Sequence, residues 1–370
     1  MADPTDDAPR RAPGTLFEYG TRNALAVVIV VALGLAAWTL SHVLLMAFAG
    51  LLIAILLRRG GSAIARHTPL SPRIGVLVVL LLSIGAIYLA VRTFGPRTGA
   101  ELARIIEILP SSLQSVEAWL REQPWGRLVL DTLPAAGERD AGINIFGTIG
   151  GTLTTVFGIA TSAVLLVSVA VFLALDPGLY RWGLLHLVPM SRRTRAAEVL
   201  DALDRDLWRW LLGQLVDMAA VSLMTGVGLW LAGVPLPATL GLIAGVLNFI
   251  PYVGPFLSAI PAVSIAFAHD PTTAIWAAVV FIVVQQVEGN VLMPLIQKRA
   301  VALPPVLSIL AIIAFGAMFG FIGVALATPL LLVVIVLVRM LYVEDVLGDH
   351  SVGTEGDDGG TETPEAQVRP

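Results

Sequence analysis

Long apolar runs that reach or approach the roughly 20 residues needed to cross a ~30 Å hydrocarbon core alternate with short polar turns along most of this chain. They predict membrane helices at about 23–40, 42–57, 74–94, 149–175, 210–231 and 272–287. Two further apolar regions, 238–268 and 304–338, are interrupted from within. In the first, Asn248 and the run Pro251-Tyr252-Val253-Gly254-Pro255 fall in the middle; the second carries Gly316, Gly320, Gly323 and Pro329. Proline lacks the N–H a helix needs and clashes with the preceding turn, and glycine relaxes the backbone, so each region reads as two short helical arms. The arms 238–250 and 252–268 span about 20 and 25 Å, both short of the core. A re-entrant hairpin fits them better than two independent spans, with a single broken crossing as the competitor. The expected fold is an all-α polytopic membrane protein of about eight membrane segments, two of them interrupted re-entrant helical hairpins.

Between these runs the pattern changes. Over 95–148, Leu102, Ile105, Ile106, Leu109, Leu113, Val116 and Leu120 recur at helical spacing among charged positions, which predicts an amphipathic helical subdomain outside the membrane. Residues 176–209 mix arginines with aspartates and predict a charged cytoplasmic helix leading into the span at 210–231. Residues 1–22 read as a disordered leader ahead of an uncleaved first span, and the acidic, glycine-rich segment 343–370 as a disordered tail. The remaining range, 149–342, is the expected transport core.

Charge orients the whole. Arg58, Arg59, Arg66 and Arg73 occupy one loop without an acid, which places that loop, and with it both termini, in the cytoplasm. If both interrupted regions return to their own side, Lys298, Arg299 and Arg339 are also cytoplasmic. The 56% hydrophobic and 14% charged composition excludes an ordinary soluble globule, and the basic residues form loop signals rather than a nucleic-acid surface. There is no cysteine, which removes disulfides, thiolate metal sites and cysteine nucleophiles. No HExxH, phosphate-binding glycine loop or GxSxG elbow is present, so no enzyme and no cofactor is expected.

The candidate chemistry lies in the membrane. Glu288, near the cytoplasmic end of its span, is an acid that could pair with a cation or take a proton. Asp217, about two turns into its span with a stem too short to reach water easily, is the second, and Gln214 shares its face. Gln285, Gln286 and Asn290 are further candidate ligands for a solute or ion, but at about 100° per residue they spread around the helix, so these three and Glu288 share a site only if the helix unwinds at Gly289. At the first interruption, Asn248 and freed carbonyls are candidate ligands, and Pro251, Tyr252, Gly254 and Pro255 form the tip or hinge. A backbone break at membrane depth must be buried or face a watery cavity, which favours transport. A scaffold that binds partners through 95–148, or a channel, are the rival readings; a scaffold needs neither the acids nor the breaks.

Several segments resemble the autoinducer-2 exporter family, also called PerM-like permeases. They are FLALDPGLYRW at 172–182, LVPMSRRTRA at 187–196, WLLGQLV around Gln214, GLIAGVLNFIPYVGP at 241–255, VQQVEGNVLMP at 284–294 and FGFIGVALATPLL at 319–331. The resemblance implies an inner-membrane transporter of around eight segments, with members linked to export of a signalling molecule or to cation/proton exchange. It also implies a homo-oligomer whose interrupted helices move during transport.

Overall fold

The computed structural model describes residues 38–122, 153–297 and 303–349, and every regular element among them is helical. The expected first span, the leader, the loop with Lys298 and Arg299, most of the acidic tail and the part of the amphipathic segment after Glu122 lie outside the described residues. The helices are α1 (Ser41–His67), α2 (Pro72–Glu122), α3 (Leu153–Leu175), α4 (Pro177–His186), α5 (Arg193–Leu231), α6 (Pro237–Leu247), α7 (Val253–His269), α8 (Pro271–Val287) and α9 (Pro305–Leu337). Helix α8 continues through a widened π turn, Glu288–Leu292, into Met293–Gln297, and α9 ends in a second π turn, Val338–Glu344. Among the described residues, five helices are long and apolar enough to cross a membrane when α9 is counted across its kink at Gly320, or six if α3 and α4, bent by 85° at Asp176-Pro177, count as one broken span. Large apolar side chains such as Leu81, Tyr88 and Leu223 stand on the outer surface of the bundle, as lipid-facing residues do.

Three boundaries differ from the sequence expectation; the first is the end of α1, which carries Arg58, Arg59 and Arg66 as helix as far as His67. Helix α2 runs unbroken for 51 residues, about 75 Å, so the apolar stretch at 74–94 and the start of the amphipathic segment form one rod. The helix continues through Gly95-Pro96 at the junction, where the period-3.6 pattern changes from apolar all round to one-sided. Its distal part lies against the ends of α6 and α7, where Ile105 joins Ala262, Ile265 and Ala266 in the core and Glu101 accepts a hydrogen bond from the Thr239 hydroxyl. The expected charged helix 176–209 is likewise divided. Helix α4 stops at His186, Pro189 leads into a short tight turn, and α5 then carries the charged segment and the membrane segment as one 39-residue helix.

One end of the bundle is tied by charge. Arg59 pairs with Asp204 and lies 5.9 Å from the Trp208 ring, Arg73 reaches Asp176 at 3.1 Å, and Arg181 pairs with Asp201. Arg195 contacts Glu198 at 2.9 Å, Glu344 at 2.6 Å and Asp345 at 2.9 Å, fastening the end of α9 to the start of α5. From this end α5 runs to the opposite one, where the turn 232–236 sends the chain back into the bundle as α6.

Helices α6 and α7 are a pair of short apolar arms of 11 and 17 residues, about 16 and 25 Å. Residues 248–252 join them, with Tyr252 held at φ 65° ahead of the helical restart. Helix α6 packs antiparallel on α5 almost backbone to backbone. A Cβ on Gly241 would lie 2.6 Å from Gly226 Cα, and one on Gly245 would lie 2.6 Å from the Met218 carbonyl oxygen. That approach carries the α6–α7 tip down to the level of Gln214.

Helix α9 contains its own reversal. Gly320 sits at φ 63°, ψ −145°, a conformation outside the helix and open to glycine. Across it, a Cβ on Gly316 would lie 2.7 Å from Val324 Cγ2, while residues eight apart in a straight helix are separated by about 12 Å. Ala311 and Ile312 share a core cluster with Ala327 and Leu331. The segments 305–319 and 321–337 are therefore antiparallel arms packed face to face, and the second ends at the charged end of the bundle, where Arg339 lies 3.8 Å from Asp206.

Candidate functional site

Asp217 lies about three turns beyond Asp206 on α5, roughly 16 Å along the axis from the charged end. It is 2% exposed. The polar group around it is assembled from three elements. Asn248, 1% exposed at the end of α6, donates its amide N–H to Asp217 Oδ2 at 2.7 Å and lies 3.5 Å from Glu288 Oε1 on α8. Gln285 donates to Glu288 Oε2 at 2.9 Å, and Gln214 donates to the backbone carbonyl of Asn248 at 2.8 Å. Two acids from different helices thus meet at one amide on the tip of an interrupted helix pair.

The accounting of polar atoms is incomplete in an informative way. Asp217 Oδ1 and Asn248 Oδ1 are buried without a hydrogen-bond partner. A buried acceptor left unpaired costs on the order of 1–3 kcal/mol, so two of them side by side mark a place where a proton, cation or polar solute has something to bind. Beside Asp217 is a cavity of about 70 Å³, roomy enough for water. Trp210, Gly213, Gln214 and Asp217 of α5 line it, together with Pro251 and Tyr252 of the tip, Met293 and Ile296 beyond the α8 π turn, and Leu303, Ser308 and Thr328 around α9. Both reversals of the chain and both acidic helices contribute to this neighbourhood.

The residues singled out from sequence divide. Gln214, Asp217, Asn248, Gln285 and Glu288 come together, and Pro251 and Tyr252 border the cavity. Gly254 and Pro255 are buried where α7 restarts, with Gly254 against the Leu247 carbonyl, and they pack the two arms together. Gln286 and Asn290 do not join the group. They are exposed, and the Asn290 amide donates back to Gln286, to its side-chain oxygen at 2.8 Å and its backbone carbonyl at 2.9 Å. Nor does the helix unwind at Gly289, the condition for all four to share a site. The helix takes up the strain as a π turn over Glu288–Leu292, which retains backbone hydrogen bonding and leaves Gln285 and Glu288 on the inner face. Trp210, Ser308 and Thr328 were not anticipated. Thr328 carried a signal, a hydroxyl just before Pro329 inside an apolar helix; Ser308 carried none beyond its polarity.

The sequence model of the AI-2E family transporter matches residues 27–342, most of the chain. YueF of Bacillus subtilis (strain 168) is 28% identical over 279 residues, which cover 70% of this chain and 74% of that protein. PerM of Escherichia coli (strain K12) is 27% identical over 183 residues, 48% of this chain and 52% of PerM. The AI-2 transport protein TqsA of Escherichia coli (strain K12) is 29% identical over 143 residues, 37% of this chain and 40% of TqsA. The relatives are named as transport proteins or permeases. With apolar helices long enough to span a bilayer and a family match across them, the chain is a multi-pass membrane protein that belongs to the AI-2E transporter family.

Proposed function

We propose that this chain is a secondary transporter whose site is the junction of the α6–α7 tip, the α9 hairpin, α5 and α8, with Asp217 and Glu288 coupling solute movement to a proton or cation. The observation that carries the reading is the meeting of these two acids at Asn248, beside a cavity that Asp217 lines. Acids inside a membrane span are costly and mark ion or substrate pathways, and no phosphate-binding loop is present in the sequence to drive transport by nucleotide hydrolysis. The two hairpins enter from opposite sides of the membrane without crossing it, bringing the count to about eight segments with the first span included, and both termini are cytoplasmic.

The similarity to TqsA makes a small polar signalling molecule, AI-2, the first solute to test. A second reading, exchange of cations for protons, is favoured by the size of the cavity, which admits a few waters or an ion as it stands. Purified protein in liposomes distinguishes them. Under an imposed proton or sodium gradient, AI-2 flux that follows the gradient supports solute transport, and dye-reported proton movement on cation addition without solute supports exchange. Flux of either kind that ignores every imposed gradient would sink the coupled reading.

A further inference from the structure

The two acids are not only neighbours of the α6–α7 tip; they hold it. Asn248 closes the end of α6, and its side-chain amide reaches Asp217 on α5 and Glu288 on α8 at once. Its backbone carbonyl takes the Gln214 amide, and the next residue, Phe249, meets the Trp210 ring edge-on at 6.1 Å. The tip is thereby fastened on one side by groups that do not change with ionisation, Gln214 and Trp210, and on the other by two groups that do.

The chemistry of an amide makes this fastening conditional. Its nitrogen only donates and its oxygen only accepts. Ionised carboxylates accept, so they take the nitrogen side, as the 2.7 Å bond from Asn248 to Asp217 shows. A carboxyl that has taken a proton presents an O–H that must find an acceptor, and a carboxylate that has taken a cation has its lone pairs occupied. Either change favours the other side of the amide, and Asn248 Oδ1 is buried and unpartnered.

Resting on the transport reading above, we infer that Asn248 is a positioning residue that reads the loading of the Asp217–Glu288 pair and converts it into release of the α6–α7 tip. With both acids empty, the amide nitrogen locks the tip onto α5 and α8. With a proton or cation on the pair, the nitrogen bonds lose their charge assistance and weaken, the oxygen turns toward the added proton or cation, and the tip is freed to open the cavity. Among the described residues, the titratable groups facing this position are Asp217 on α5, Glu288 on α8 and Tyr252 on the tip itself; the α9 residues that line the cavity, Ser308 and Thr328, do not titrate.

Hydrogen exchange of the full-length protein in nanodiscs, read on peptides covering 246–256, tests the inference without any transport assay. Asp217→Asn and Glu288→Gln imitate the loaded pair with little change of shape. Each should speed exchange at the tip by about tenfold or more relative to wild type, while peptides of α1 and α3 stay unchanged. In an Asn248→Leu background, which has no amide to read the acids, exchange at the tip should already be fast, and adding Asp217→Asn or Glu288→Gln should change it less than twofold. Tip exchange that stays at the wild-type rate in both acid variants overturns the inference, and so does an undiminished effect of those variants in the Asn248→Leu background. The transport reading fails separately, if gradient-driven flux is absent from wild-type protein whose tip behaves as described.

Discussion

The carboxylate pair and its amide make unequal demands on substitution. Replacing Asp217 with alanine leaves the buried Asn248 N–H without its 2.7 Å acceptor and opens space beside the cavity, and is expected to lower stability by about 2 kcal/mol. Asp217→Asn keeps the volume but replaces a charged acceptor with a weaker neutral one, so it should lose about 1.4 kcal/mol, the equivalent of the tenfold loosening of the tip and less than the alanine variant loses. Thermal unfolding of both variants in one detergent checks this ordering, and equal losses would show that the Asn248 bond contributes nothing. Gly289 supplies a complementary prediction. Nothing lies within 4 Å of a Cβ placed there, and the position falls in a hydrogen-bonded π turn. Gly289→Ala should therefore leave both stability and transport within about a factor of two, whereas a hinge that unwinds would lose transport. The acids, the asparagine and the proline-glycine tip could be picked out in the sequence because polar or helix-breaking residues inside an apolar run are costly there. Ser308 and Thr328 escaped because small hydroxyls are common in membrane helices, where their own backbone satisfies them. Gln286 and Asn290 misled because composition does not say which face of a helix turns inward, and a π turn shifts that phase by one residue.

The elements that place the site depend on close backbone approach. Gly241 and Gly245 let α6 lie against α5 at Gly226, Ser222 and Met218, and the obstacle facing any added side chain is backbone, which cannot rotate away. Gly241→Val is expected to cost about 3 kcal/mol or more, at or above the upper end of overpacking losses, and to displace the tip from Asp217. A wild-type melting temperature in this variant would contradict the antiparallel α5–α6 contact. The first interrupted region was anticipated from the length of its arms, since stretches of about 20 and 25 Å cannot comfortably cross a ~30 Å core alone, and the second from Gly316, Gly320, Gly323 and Pro329 inside an apolar run. The length of α2 and the continuity of α5 were not. Both join an apolar segment to an amphipathic one in the same helical period; α2 runs through Gly95-Pro96, a pair that often ends a helix, and in α5 no proline marks the change of environment. The break at Pro189, by contrast, lay inside a charged stretch read as one helix, where a proline was available to end it.

The described residues form a bundle with a charged end and an opposite end, and the positive-inside rule predicts that the charged end faces the cytoplasm. The chain has no cysteine, so a single introduced thiol gives an unambiguous signal. Thr68→Cys, just past the α1 end of the arginine-rich turn, should react with a membrane-impermeant maleimide only after cells are opened. Asp270→Cys, between α7 and α8 at the other end, should react in intact cells. The reverse pattern would invert the topology. At the charged end, Arg195 joins α5 to the end of α9 through three acids. These pairs are partly open to water, so Arg195→Met should cost only about 1 kcal/mol, and the difference from wild type should shrink in 1 M salt, where charges are screened within about 3 Å. A loss that is independent of salt would assign Arg195 a packing role instead.

The proposed mechanism makes Glu288 necessary for coupling but not for passage of the solute once the site is loaded. Wild-type protein and Glu288→Gln, reconstituted in parallel, separate the two steps when gradient-driven net flux and solute counterflow are followed in the same vesicles. The mutant should lose net flux by about a hundredfold, comparable to wild type with the gradient collapsed, while counterflow stays within severalfold of wild type. Net flux in Glu288→Gln that still follows the imposed gradient would contradict coupling through the pair at Asn248.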